Sequence, residues 1–253
     1  MKLRYIRLIA EDLNNDIDSK DFLPYFDFNC CFVSNYLSKA IRKLHIETED
    51  SYKMILVDLS FKRSSCKVSR ITNVLYIHLP VLREEMEHYK RMKNLEERYE
   101  FYLSLLERGY KFASTVKKIP MESLLMLHQQ FRENCYKNEW LFKKKQVRDL
   151  GLYLFLKCYF TTFDFHLELE AYDLKQKELF CKGVILRTYP DEIGFRKIFE
   201  QIVIEDKQLI ILDFLSHPSF KIDLIKIRNG EFNVNQIEWK IEHDDNYFKR
   251  FIW

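Results

Sequence analysis

The chain has 253 residues, which is enough to bury a sizeable core without disulfides or a structural metal. It contains 5 glycines where average usage near 7% gives about 18, which excludes the glycine-rich phosphate loops, dinucleotide fingerprints and nucleophile turns of many enzymes. Lys and Arg number 41 against 38 Asp and Glu, and the two signs alternate along the chain, which excludes a polybasic nucleic-acid-binding arm.

Residues 1–80 predict a mixed α/β segment. The predicted elements are a strand at 1–10, an acidic polar loop at 14–21, a helix at 33–44 with Ser34 or Asn35 near its start, and a hairpin of two apolar strands at 52–59 and 74–79.

Residues 81–138 predict a unit of two or three helices, because apolar residues recur at helical spacing almost throughout. The predicted buried positions are Leu82, Met86, Tyr89, Leu95, Tyr99, Tyr102, Leu103, Leu106, Tyr110 and Ala113, followed after Pro120 by Leu124, Leu125, His128, Phe131 and Cys135.

From residue 139 to residue 253 the apolar pattern changes to a period of two, which predicts an antiparallel β-meander. The predicted strands are 152–160, 161–171, 179–188, 199–205, 209–215, 220–227 and 232–239. The run 209–215 also fits a short helix, since an apolar run of that length does not discriminate. We therefore expect a single α+β domain over 1–253, in which the meander sheet packs against the helical unit.

The cysteine pattern predicts free, reduced thiols that lie mostly in the core. Six cysteines lie mostly in apolar runs without a CxxC pair, namely Cys30, Cys31, Cys66, Cys135, Cys158 and Cys181. The vicinal pair at 30–31 leaves a redox or metal role open, but a core position is favoured because adjacent cysteines close only a strained ring. No window approaches about 18 uncharged apolar residues, and the N-terminus lacks a signal core, so we expect a cytoplasmic protein without a membrane partner.

Four polar side chains alternate along one predicted strand: Asp164, His166, Glu168 and Glu170. Such a row can ligate a divalent metal or supply a base. A solvated sheet face is the favoured interpretation, with the carboxylates opposite basic neighbours such as Lys182 and Arg187.

A short pattern resembles the PD…ExK arrangement of Mg²⁺-dependent nucleases. In that hypothesis Asp191 and Glu205 hold the metal and Lys207 stabilises the attacked phosphate. The segment around Glu205 also reads as a turn between two apolar runs, and so short a motif arises easily by chance.

A basic and aromatic stretch spans residues 137–148 and includes Trp140, Phe142 and three consecutive lysines. Cations beside stackable rings can bind single-stranded nucleic acid. The favoured alternative is an edge strand whose lysines prevent it from pairing with other chains. Nucleic acid is therefore not an expected partner.

The histidines give no sign of a catalytic or metal centre. None has a second histidine at a metal-ligand interval or a serine or cysteine in a nucleophile context. They are His45, His78, His88, His128, His166, His217 and His243. We predict no cofactor and no enzymatic activity.

An aromatic content of 15% with mixed charge and no assembled active site is typical of protein-recognition modules. The segment 95–109, LEERYEFYLSLLERG, followed by 136–140 and a strand meander, resembles immunity proteins of bacterial polymorphic toxin systems. The resemblance covers the layout of residues 80–240. It implies a non-catalytic cytosolic inhibitor whose partner is a cognate toxin domain, and it assigns no contact residues.

The charge of the chain departs from that resemblance. An inhibitor of a basic nuclease is expected to be acidic, whereas this chain has a net charge of +3. The resemblance therefore implies an acidic toxin or recognition by a local patch, with the acidic and aromatic segments 11–27 and 242–248 as candidates. The apolar terminus at 248–253 needs cover from the core or from a partner.

Overall fold

The computed structural model describes residues 1–14, 23 and 25–236. The chain divides into two compact units, Met1–Asn138 and Glu139–Trp253, and the junction coincides with the predicted change of pattern at residue 139. Both units combine helices with strands, so the predicted α+β class is confirmed. That 1–253 form a single domain stays a prediction. The loop predicted at 14–21 and the terminal segments at 242–248 and 248–253 lie largely or wholly outside the described residues.

The first unit contains four strands and five helices among its described residues. They are β1 (Tyr5–Ile9), α1 (Glu11–Asn14), α2 (Phe26–Leu44), β2 (Met54–Ser60), β3 (Ser65–Ser69), β4 (Val74–Pro80), α3 (Arg83–Arg91), α4 (Leu95–Ser114) and α5 (Met121–Glu133). No helix of the described part of the chain is long and apolar enough to cross a membrane.

The sheet of this unit has the strand order β1-β2-β4-β3. The hairpin predicted from 52–59 and 74–79 is wrong, because β2 and β4 are neighbours but run parallel. The true hairpin joins β3 to β4, and β3 occupies the edge. The sequence pattern identified both strands, but a local apolar pattern does not specify the direction in which two strands pair.

Helix α2 covers the other edge of the sheet with its own side chains. Ser38 Oγ accepts a hydrogen bond from the amide of Ile6 at 2.9 Å, and Ser34 Oγ accepts one from the amide of Leu8 at 3.2 Å. The Cys30 thiol donates to the Leu8 carbonyl, so this buried cysteine is a core group, as favoured. Ser34 therefore protects the edge of β1 instead of starting the helix, which begins at Phe26.

The predicted helical unit is confirmed as α3, α4 and α5, and the predicted seam of α4 is buried from Tyr102 to Ala113. Three predicted positions are exposed instead of buried: Leu82 and Cys135 lie just outside a helix, where helical spacing no longer applies, and Leu95 is the first residue of α4. At Gly109 the backbone of α4 approaches β2 so closely that an added Cβ would lie 2.8 Å from Val57 Cγ2.

The described residues of the second unit form two four-stranded sheets, with orders β5-β6-β7-β8 and β12-β11-β10-β9. Its elements are β5 (Asn138–Val147, which begins at the junction), a 3-10 turn (Arg148–Leu150), β6 (Leu152–Phe160), β7 (Phe165–Asp173), β8 (Leu179–Thr188), α6 (Glu192–Arg196), β9 (Gln201–Glu205), β10 (Gln208–Leu212), β11 (Pro218–Asp223), α7 (Leu224–Arg228) and β12 (Val234–Gln236).

The predicted meander is therefore two meanders, separated by α6. The ambiguous run at 209–215 is a strand, and the run at 220–227 divides at Asp223, whose carboxylate accepts hydrogen bonds from the amides of Ile225 and Lys226 and starts α7. Aromatic rings from the first sheet and from α6 share one core, in which the Phe165 ring stacks on Phe195 with centroids 3.8 Å apart. This core fixes which side of the first sheet remains available to solvent.

Candidate interaction surface

One side of the first sheet of the second unit is polar and aromatic. Alternate residues of β6 and β7 are buried in the core, so the remaining ones share the opposite side. We call this side the polar-aromatic face. Its members are Tyr153, Phe155, Lys157 and Tyr159 of β6, His166, Glu168, Glu170 and Tyr172 of β7, Lys182 and Arg187 of β8, and Asp164 just before β7.

The carboxylates of this face are paired with cations from both neighbouring strands. Glu170 lies 2.6 Å from Lys157 Nζ and 3.5 Å from Lys182 Nζ, and Glu168 lies 2.9 Å from Lys182 Nζ. Asp164 lies 3.3 Å from the Arg187 guanidinium. The predicted opposition of the row to Lys182 and Arg187 is confirmed, but the predicted solvated face is corrected in part, because Glu168 and Glu170 are buried.

Glu170 is the most enclosed of these carboxylates, with 6% of its surface exposed. Burial alone raises the pKa of its carboxyl, but hydrogen bonds from Lys157 and from the Tyr172 hydroxyl at 2.8 Å outweigh burial, and the pKa falls below its ordinary value. Glu170 is therefore charged and held in place at neutral pH.

The aromatic members of the face support one another. Tyr159 stacks on His166 with ring centroids 4.8 Å apart, and Phe155 contacts both Tyr153 at 4.4 Å and Tyr172 at 5.5 Å. Burial lowers the pKa of the His166 imidazole, so it is neutral at pH 7. Four aromatic rings thus present rigid, half-buried surfaces beside ion pairs that are already formed.

The metal hypothesis for Asp164, His166, Glu168 and Glu170 gains no support from this geometry. The row lies on one face as predicted, but lysine and arginine side chains occupy the positions beside its carboxylates. Within residues 1–14, 23 and 25–236, no group of three or more His, Cys, Asp or Glu side chains is arranged to hold a metal ion.

The three residues of the nuclease hypothesis serve local structure. Asp191 caps α6 by accepting a hydrogen bond from the amide of Ile193 at 2.9 Å. Glu205 ends β9, and Lys207 lies in the two-residue turn to β10, where Asp206 and Lys207 both have positive φ. Glu205 and Lys207 are thus not alternate residues of one strand, and no hydrogen bond or ion pair among the described residues joins them to Asp191.

Sequence reasoning missed a polar cluster where the parallel strands of the first unit end. Asp58 of β2 pairs in register with His78 of β4, and Ser65 of β3 places its hydroxyl 2.8 Å from His78 Nδ1. The prediction that no histidine has a serine in a nucleophile context beside it overlooked this pair, because strand pairing joins residues 13 positions apart. A polar residue within each of two apolar runs, Asp58 and His78, was the available signal.

The electrostatics of this cluster centre on Asp58. Burial, with repulsion from the neighbouring carboxylates of Asp12, Glu11 and Asp27, raises the pKa of Asp58 to about 7, although its carboxylate accepts a hydrogen bond from the amide of Asp12. Burial also lowers the pKa of His78, and attraction to Asp12 opposes that shift. The ends of parallel strands are common ligand sites, but the Ser65 hydroxyl already pairs with His78 and the Asp58 carboxylate with the Asp12 amide, so this cluster is a weaker candidate than the polar-aromatic face.

Comparison of the chain with models of protein families, with curated proteins and with solved structures finds no match in any of the three.

Proposed function

We propose that this chain is a non-enzymatic protein-binding module that acts in the cytoplasm as an immunity protein, neutralising a cognate bacterial toxin domain. The observation that carries the proposal is the polar-aromatic face. Rigid aromatic rings supply contact area at little cost in side-chain entropy, and tyrosine is enriched in protein-binding surfaces.

The pairing of the charged side chains on this face also supports the binding of a protein partner. Glu168 and Glu170 are 8% and 6% exposed, and their cationic partners are already in place. Covering this face therefore removes little further water from its carboxylates, and the desolvation cost falls on the partly exposed Lys157 and Lys182, whose ammonium groups stay paired with those carboxylates. A partner can cover the face without rearranging it.

Growth of bacteria tests the proposal. The product of the gene adjacent to this one is expressed alone and together with this chain, and growth is followed in both cultures. The proposal expects that the neighbour arrests growth and that co-expression restores it. A neighbour that remains harmful in the presence of well-folded chain would contradict the neutralising role.

A nuclease assay tests the enzymatic alternative. Purified chain is incubated with DNA and RNA in Mg²⁺ beside a variant carrying Asp191→Ala, Glu205→Ala and Lys207→Ala. The proposal expects no cleavage by either protein. Cleavage by the wild type that the triple variant lacks would replace the binding function with the nuclease hypothesis.

A further inference from the structure

The edge of β5 is the basic and aromatic stretch that the sequence singled out, and its edge-strand interpretation is confirmed. We propose that this edge binds an extended, acidic segment of the protein partner by strand addition. The inference rests on the proposed function and specifies how one part of the partner is recognised.

The backbone of β5 offers a template for a further strand. The strand is ten residues long and lies at the end of the order β5-β6-β7-β8. Across the described part of the chain, residues 141–147 make no backbone hydrogen bond outside their own sheet. A row of unpaired amide and carbonyl groups at a sheet edge pairs readily with an extended peptide.

The opposite edge of the same sheet is less suited to strand addition. β8 pairs with β7 through two register shifts. An added Cβ on Gly183 would lie 2.3 Å from the Phe232 ring, and the Arg228 guanidinium lies 4.2 Å from the Phe180 ring centroid. Irregular pairing and the side chains packed over β8 therefore make β5 the better candidate edge among the described residues.

The side chains of β5 specify the charge of the added segment. Lys143, Lys144 and Lys145 are exposed, and no ion pair joins them to any described residue. Because consecutive side chains of a strand point to opposite faces, the three ammonium groups flank the edge on both sides. Leu141, with 47% of its surface exposed, adds an apolar contact. An acidic strand with one apolar residue complements this edge.

The aromatic residues of β5 favour a peptide over nucleic acid. Trp140 lies 6.0 Å from Phe165 and Phe142 lies 4.9 Å from Phe199, measured between ring centroids, so both rings face the core. Single-stranded nucleic acid needs exposed rings on which its bases stack. The lysines remain available for charge pairing, whereas the two rings of this strand are only partly exposed and pack against other aromatic rings.

Fluorescence anisotropy with a synthetic peptide tests the inference on the full chain. The probe is a labelled, end-blocked peptide with the order Thr-Glu-Glu-Glu-Thr-Val-Thr, used with its reverse so that both strand directions are sampled. An analogue methylated on alternate backbone nitrogens keeps the charge but loses hydrogen-bond donors. The variant carries Lys143→Gln, Lys144→Gln and Lys145→Gln, and the charge-matched control carries Lys175→Gln, Lys177→Gln and Lys226→Gln.

We expect one of the two peptides to bind the wild type and the control, to bind the β5 variant about tenfold more weakly, and to lose binding when methylated. Equal binding of the methylated analogue would overturn strand addition and leave only charge attraction. Absence of binding would mean that the lysines merely prevent self-association. Binding of an oligothymidylate that the β5 variant abolishes would assign the edge to nucleic acid.

The growth assay separates this inference from the proposed function. If the β5 variant still neutralises the toxin and the peptides do not bind, the inference fails and the proposed function stands. If the wild-type chain does not neutralise the product of an adjacent gene, the proposed function fails whether or not the peptides bind.

Discussion

Asp58→Asn is expected to stabilise the chain at alkaline pH. The native pKa of Asp58 is about 7 against an ordinary value of 3.8, so between those values the folded state holds a proton that the unfolded state has lost. The contribution of Asp58 to stability is therefore greatest below about pH 4, falls as pH rises to about 7, and is then constant. The amide removes the cost of a buried charge and keeps an oxygen that accepts from the Asp12 amide.

The size of the effect follows from the pKa difference. Three pKa units correspond to about 4 kcal/mol. The carboxylate is 8% exposed and so retains some contact with water, and the new amide hydrogens need partners of their own. We therefore expect a gain of about 2 kcal/mol at pH 8 and little change at pH 4, where the wild-type carboxyl is protonated.

Urea unfolding followed by circular dichroism at both pH values measures this gain. Glu84→Gln provides the control, because Glu84 is an exposed carboxylate of the same unit and its replacement should change neither value. A variant that is less stable at pH 8, or whose difference from wild type does not change with pH, would refute the reasoning.

Three further predictions concern close packing and buried charge. Gly109→Ala should destabilise the fold by about 1–3 kcal/mol, since its Cβ meets Val57, and adding Val57→Ala should recover part of the loss in a double-mutant cycle of unfolding free energies. Gly183→Ala should displace the Phe232 ring and lower the thermal midpoint of unfolding measured by calorimetry. Burial lowers the pKa of His128 despite its hydrogen bond to a glutamate, so the unfolded state binds the proton more readily. Stability should therefore fall as pH drops below about 6.5, and His128→Gln should weaken that dependence in urea titrations.

Strands with one buried face were predictable from the sequence. The bounds predicted at 152–160 and 179–188 are those of β6 and β8, and in β6 every second side chain is buried, which leaves a period of two in the sequence. The parallel arrangement of β2 and β4 was not predictable from the runs alone. Their continuous apolar character was a sign of parallel strands buried on both faces, but a local pattern does not specify strand direction.

The candidate surface was predictable in part. Alternation along 164–170 located the polar row, and its pairing with Lys182 and Arg187 was anticipated. The contribution of β6 was missed, because Lys157 and Tyr159 reach the row only through the β6–β7 register, which hairpin geometry sets. The contact between Ser65 and His78 was missed for the same reason, because it depends on the pairing of β3 with β4.

Isothermal titration of the purified partner against the chain tests the central claim most directly. The face variant carries Tyr153→Ala and Phe155→Ala, and the matched control carries Phe28→Ala and Phe214→Ala, two exposed aromatic residues that lie outside this face and outside the candidate segments 11–27 and 242–248. We predict that the wild type and the control bind the toxin encoded next to this gene with equal affinity, and that the face variant binds at least about tenfold more weakly. Equal affinity of all three proteins, with circular dichroism showing that the variants are folded, would contradict the assignment of binding to the polar-aromatic face.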